Sequence, residues 1–188
     1  MTQTLPEELR QLLLQIDDAE RRAEAIVAGM SDESVNAKPA SDTGWSVAQC
    51  LHHLAVINEF YVRGCLAVVQ AAAHAGRRFD GLRPTLFGRR FVQSMEPPVR
   101  TRIKARAVTQ PAPTMPRDQL VPLFKASHDG YRQLVTASAT TDVNRVIVRN
   151  PFFRIIRMRM ATILLIIPAH DRRHLWQAEN VKRALTGS

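Results

Sequence analysis

The sequence is poor in several things. It has two cysteines in 188 residues, Cys50 and Cys65. They stand 15 positions apart within one expected helix, roughly 22 Å along its axis, so they cannot bridge to each other inside it. Nothing suggests a disulfide scaffold, and a reducing cytoplasm fits. Aromatic residues make up only 6% of the chain. Aliphatic residues and alanine dominate instead, a bias toward helix. The longest apolar run, residues 161–169, is broken by Thr162 and is too short to span a bilayer. The N-terminus has no basic region followed by an apolar core, so no signal peptide is expected. Internal repeats, strand alternation and a glycine-rich phosphate loop are also missing.

Acidic residues are scarce too: 17 against 26 Lys and Arg, a formal charge of +9. Residues 77–106 hold nine basic residues against Asp80 and Glu96, and residues 145–159 hold five arginines and no acid. Such stretches suit nucleic acid, an anionic membrane or an acidic substrate. No nucleic-acid module signature accompanies them. The favoured reading is therefore a basic solvated surface around a small-molecule site, with nucleic acid a less favoured partner and no membrane partner.

What is present is helical period, in one domain over residues 1–188. A first helix is expected from Leu5 to Met30, with Thr4 and Glu7 as a capping box. Glu20 interrupts its apolar stripe, so its carboxylate either lies at an open end or faces something positive. A loop over residues 31–45 follows. A second helix begins at Ser46, which forms a capping box with Gln49, and continues to Ala73. Residues 74–116 hold six of the eleven prolines and read as a long irregular crossover. A third helix is expected from Pro116 to Ser138. Asn150-Pro151 reads as cap and first position of a final helical region reaching Leu185. Pro168 inside it frees a carbonyl one turn back and bends the helix. The run Ile163–Ile167 is apolar all round, which calls for a homodimer partner or for cover by residues 76–116.

His170 and His174 stand four apart on this last helix, so their imidazoles share one face. Two neutral histidines so placed can share a metal ion, and a third ligand must come from elsewhere. The best candidate is His53. At about 100° per residue it flanks the stripe of the second helix, while His52 points nearly opposite, toward solvent. Three histidines leave coordination positions open, as a catalytic metal requires. Gln49 lies one turn before His53 and is a candidate to orient a ligand. His128 and Cys50 are lesser ligand candidates, more simply read as core residues.

The flanks of these histidines resemble a known family. Trp45-Ser46-Val47-Ala48-Gln49-Cys50-Leu51 followed by His53-Leu54 resembles the opening of the second helix in DinB-like (DinB/YfiT-like) proteins. His170-Asp171-Arg172-Arg173-His174-Leu175 followed by Gln177 resembles their final helix. The resemblance covers nearly the whole chain. It implies an all-α four-helix bundle, with the long crossover between its second and third helices. It also implies a divalent metal on His53, His170 and His174, and often a homodimer. Characterised relatives are mostly metal-dependent enzymes, several of them thiol-dependent transferases.

Three imidazoles suit zinc, nickel, iron or copper. Gln49, Glu20 and Gln177 are the candidates for a supporting shell around them. Glu59 and Glu179 lie about 140° round their helices from His53 and His174, so neither faces the metal. The lack of an evident general base favours activation of a low-molecular-weight thiol over hydrolysis, with a small anionic substrate drawn by the basic segments. A non-catalytic metal-binding protein and a basic nucleic-acid or partner-binding module are the alternatives.

Overall fold

The computed structural model describes residues 4–39, 44–73, 78–99, 105–152 and 155–187. Part of each basic stretch (Arg77, Arg100, Arg102, Lys104 and Arg154) and the turn-rich residues 41–43 lie outside these. Four long helices carry the fold: α1 (Glu7–Val27), α3 (Val47–Ala73), α5 (Arg117–Ser138) and α6 (Met160–Thr186). Helix α1 packs on α5 and α6, and α3 packs on the same two from the other side. Short elements fill the connections: α2 (Asp32–Asn36), α4 (Leu86–Gln93), a 3₁₀ turn (Ala107–Thr109), and an antiparallel ribbon of β1 (Ile147–Arg149) and β2 (Arg157–Arg159).

Local chemistry sets some of these ends as expected and others not. Gln49 N–H donates to Ser46 Oγ and Ser46 N–H to Gln49 Oε1, both at 3.2 Å. This capping box fixes the start of α3 one turn ahead of His53. At α1 the expected box does not form. Pro6 is the N-cap without a side-chain bond, and Glu7 instead accepts from Gln11 at 2.7 Å. The loop over residues 31–45 contains α2, which Ser31 and Ser34 cap reciprocally.

The expectation of helix from Asn150 is overturned. Asn150 N–H donates to Ile156 O at 2.8 Å, and Phe152 N–H to Asn150 Oδ1 at 2.9 Å. Asn-Pro thus makes a side-chain-closed turn between two strands. The ribbon pairs Val148 with Met158, both buried, so its other face is solvent-facing. Helix α6 starts only at Met160.

The apolar run of α6 finds its cover within the chain. Ile163, Leu164, Ile166 and Ile167 are fully buried. Part of that cover comes from the crossover, whose α4 packs on α6 and whose Phe91 and Val92 join the same core. Residues 74–116 are thus not wholly irregular. Helix α3 is long and apolar enough to cross a membrane by length and composition. Its packed side carries Gln49, His53 and Asn58, all buried, against α5 and α6.

The buried apolar side chains fall into two clusters along the helices. One cluster gathers Leu9, Ile16, Ile57, Tyr61, Tyr131 and Ile163 to Ile167; the other gathers Ala23, Val47, Leu51, Leu54, Phe124 and Leu175. Near the junction of the two, one on each long helix, lie the polar residues Glu20, Asn58, His128 and Asp171. His128 sits between two carboxylates, 3.0 Å from Glu20 and 3.2 Å from Asp171. Asn58 donates to Asp171 at 3.3 Å, and Arg132 donates to Glu20 at 2.9 Å. All four long helices meet through this set, which fixes their relative heights because any slip would strand a buried charge.

Candidate metal centre

His53 reaches the core from the second turn of α3, and His170 and His174 reach it from the middle of α6. The three imidazoles offer ligand atoms that all lie within 4.8 Å of one another, and all three residues are buried. Ring centroids stand 5.3 Å apart for His53 and His170, 4.8 Å for His53 and His174, and 4.6 Å for His170 and His174. Trp45, just ahead of α3, stacks on His174 at 5.5 Å and lies 4.5 Å from His53.

The hydrogen bonds settle two tautomers. His53 Nδ1–H donates to the Thr109 carbonyl at 2.7 Å, and His174 Nδ1–H donates to Gln177 Oε1 at 2.9 Å. A carbonyl can only accept, so in both neutral rings the proton is on Nδ1 and the lone pair on Nε2. Burial pushes the His53 imidazole down to about 4 and the His174 imidazole down to about 3. It holds His170 well below the ordinary range as well, helped by its two neighbours and by Arg173. All three rings are therefore neutral at pH 7, the form that binds metals. His170 Nδ1 is buried with no hydrogen-bond partner. A buried nitrogen without a partner is costly, and a cation among the rings is a partner that would relieve it.

The chain segment over the site is tied down by two adjacent side chains. While His53 holds Thr109, its neighbour His52 accepts from the Ala112 N–H at 2.9 Å. His52 is thus half-buried against the crossover rather than free in solvent, because the crossover folds back along α3. On α6, Arg172 binds Glu96 through two bonds of 2.9 and 2.6 Å and Gln15 at 2.6 Å. Arg173, buried beside the histidines, donates to Ser94 O at 3.2 Å.

The supporting residues expected from sequence divide three ways. Gln177 holds His174. Gln49 lies on the right side, but its Oε1 caps the α3 N-terminus. Glu20 is not at the histidines at all: its carboxylate faces His128 and Arg132, the positive groups within its reach. For the same reason His128 is no ligand, since carboxylates occupy both of its nitrogens. Burial disfavours the charged ring, but Asp171 and Glu20 together outweigh it and raise the His128 pKa. Cys50 is buried in the apolar core. Among the described residues no carboxylate joins the histidine cluster. Glu179 is bound to Arg22 at 2.8 Å and Glu59 to Arg63 at 3.4 Å, both turned from the site. Sequence reasoning missed Trp45 as a covering ring, Thr109 and Arg173. Thr109 acts through its backbone, which leaves no signal in residue type.

The sequence profile of the DinB superfamily matches residues 15–178, a span that includes all three histidines. The chain belongs to the DinB superfamily. No curated protein and no solved structure matches it. Within this DinB-superfamily chain, the matched span also takes in most of both apolar clusters and the four polar residues Glu20, Asn58, His128 and Asp171.

Proposed function

We propose that this DinB-superfamily protein is a metal-dependent enzyme. On this reading its four long helices are a four-helix bundle, and His53, His170 and His174 hold one divalent transition ion, zinc, nickel or iron. The observation that carries the proposal is the convergence of three buried, neutral imidazoles, one of them with an orphaned nitrogen. A three-nitrogen donor set leaves open positions for substrate. When bound, such an ion lowers the pKa of a coordinated thiol or water.

The chain's own groups do the rest. Thr109 and Gln177 hold two rings in the tautomer that presents Nε2, and such outer partners keep ligands in place. Arg173 adds a positive charge close enough to depress His170 and His174. With no carboxylate in the cluster, the site is cationic once loaded and favours an anionic substrate. Hydrolysis would call for a base, and the buried carboxylate next to His170 in sequence, Asp171, is engaged with His128. Thiol activation has no such need, so a thiol-dependent transferase acting on a small anion is the preferred reaction class.

The test is elemental analysis of protein purified without a histidine tag. His174→Ala should lose most of its metal, and His52→Ala should keep it. Equal metal in the His174 variant and the parent refutes the site.

A further inference from the structure

Helix α4 and the ribbon expose both basic and large apolar side chains. On α4, Leu86 is 79% exposed and Phe87 is 65% exposed, with Arg89 and Arg90 exposed beside them. In the ribbon, burial of Val148 and Met158 turns Arg149 and Arg157 outward. These two arginines stand directly opposite each other in the register. Like charges so placed repel across a ladder. Ile155, in the connection between the two strands, is 93% exposed.

The ribbon and α4 are held near each other, since β2 and α4 both pack on α6. Arg159 in β2 donates to Arg83 O at 3.1 Å, joining the ribbon to the segment that leads into α4. Helix α4 lies tightly on α6 through Gly88, where a Cβ would come within 2.6 Å of Thr162 Oγ1. Thr85 caps α4 by accepting from the Gly88 N–H at 3.0 Å. Among the described residues, Arg89, Arg90 and Arg157 have no carboxylate partner.

The charge narrows the choice of occupant. A second copy docked here by two-fold symmetry would set arginines against arginines, since a two-fold interface presents the same patch twice. The occupant is therefore anionic. Nucleic acid would satisfy the arginines and could stack on Phe87, but it offers nothing to Leu86 or Ile155. An anionic bilayer surface accepts both parts: arginines among the headgroups, and leucine, phenylalanine and isoleucine at the acyl boundary. We propose that the face formed by α4 and the β1–β2 ribbon is a docking surface for an anionic lipid bilayer. It lies on the membrane and does not span it, since eight residues of α4 reach only about 12 Å. This departs from the expectation of no membrane partner, and it stands apart from the metal site.

The test is co-sedimentation of the full chain with vesicles of phosphatidylcholine alone or with added phosphatidylglycerol. Binding should require phosphatidylglycerol and weaken as salt rises. Arg149→Gln/Arg157→Gln should weaken it about tenfold or more, and so should Leu86→Ser/Phe87→Ser. All four side chains are exposed, so the variants should fold, which circular dichroism checks. Three results overturn the proposal: no binding to anionic vesicles, equal binding to neutral ones, or full binding by both variants. Binding to an oligonucleotide that the arginine pair weakens and the Leu86/Phe87 pair leaves intact reassigns the face to nucleic acid.

Discussion

Tyr131→Phe tests how α6 tolerates a proline two residues before a site histidine. Pro168 has no N–H, so the carbonyl of Leu164, four residues earlier, loses its helical donor. Tyr131, fully buried on α5, donates its hydroxyl to that carbonyl at 2.5 Å. Burial, followed by the nearby Asp171 charge, raises the phenol pKa well above its usual value, so it remains a donor. Removing the hydroxyl leaves a buried carbonyl unpaired, at a cost of about 1–3 kcal/mol. Pro168→Ala restores a backbone N–H that can take the hydroxyl's place. The loss from Tyr131→Phe should then shrink in the Pro168→Ala background, with a coupling of about 1–2 kcal/mol. Urea unfolding of the metal-free parent, both single variants and the double variant, followed by circular dichroism, gives the four free energies. If Tyr131→Phe costs the same in both backgrounds, within about 0.5 kcal/mol, the hydroxyl does not stand in for the missing donor and the reasoning fails.

Gln177→Leu should weaken metal binding by about 10- to 100-fold in competition with a chromophoric chelator, because His174 loses the partner that fixes its tautomer. Gln49→Leu, which removes only a cap, should leave that affinity unchanged. In the metal-free protein, stability should fall as pH drops below 6.5. His53 and His174 have depressed folded-state values of about 4 and about 3, so the unfolded chain takes up their protons first. His53 alone should cost about 2 kcal/mol by pH 5. A urea midpoint that stays flat from pH 6.5 to 5 contradicts this. The homodimer now rests on family resemblance, since α6 finds its cover within the chain. Light scattering checks it, and a mass near 21.1 kDa rules it out.

Where structure follows from neighbours in sequence, the chain could be read directly. Ser46 and Gln49 fix the start of α3 because both partners of the capping box lie within one turn. The stripes of the long helices were legible for the same reason. Asn150-Pro151 is a different case. The pair opens a helix or closes a turn equally well, and the choice was made by Ile156 and by the pairing of Ile147 with Arg159, neither of which a local window weighs. Helix α4 escaped because its eight residues are too short to show a period, and Pro84 ahead of it and Pro97 beyond it look like loop.

The candidate site divides along a related line. A metal ligand must be one of a few side chains, and on a helix it must keep its spacing, so His170 and His174 stand out and His53 follows from its wheel position. What holds those rings is less restricted. Thr109 uses a carbonyl that any residue could supply, and its place over His53 depends on a crossover of many residues folding back on α3. Glu20 shows the converse limit. Its interruption of an apolar stripe left an open end and a positive partner as alternatives, and several cations compete for that part in a folded core. Only the packing of α1 against α5 gives it His128 and Arg132 in place of a metal. A polar residue on an apolar stripe therefore signals that a partner exists, while its identity belongs to tertiary structure. That is why the three histidines of this candidate centre were legible and most of their supports were not.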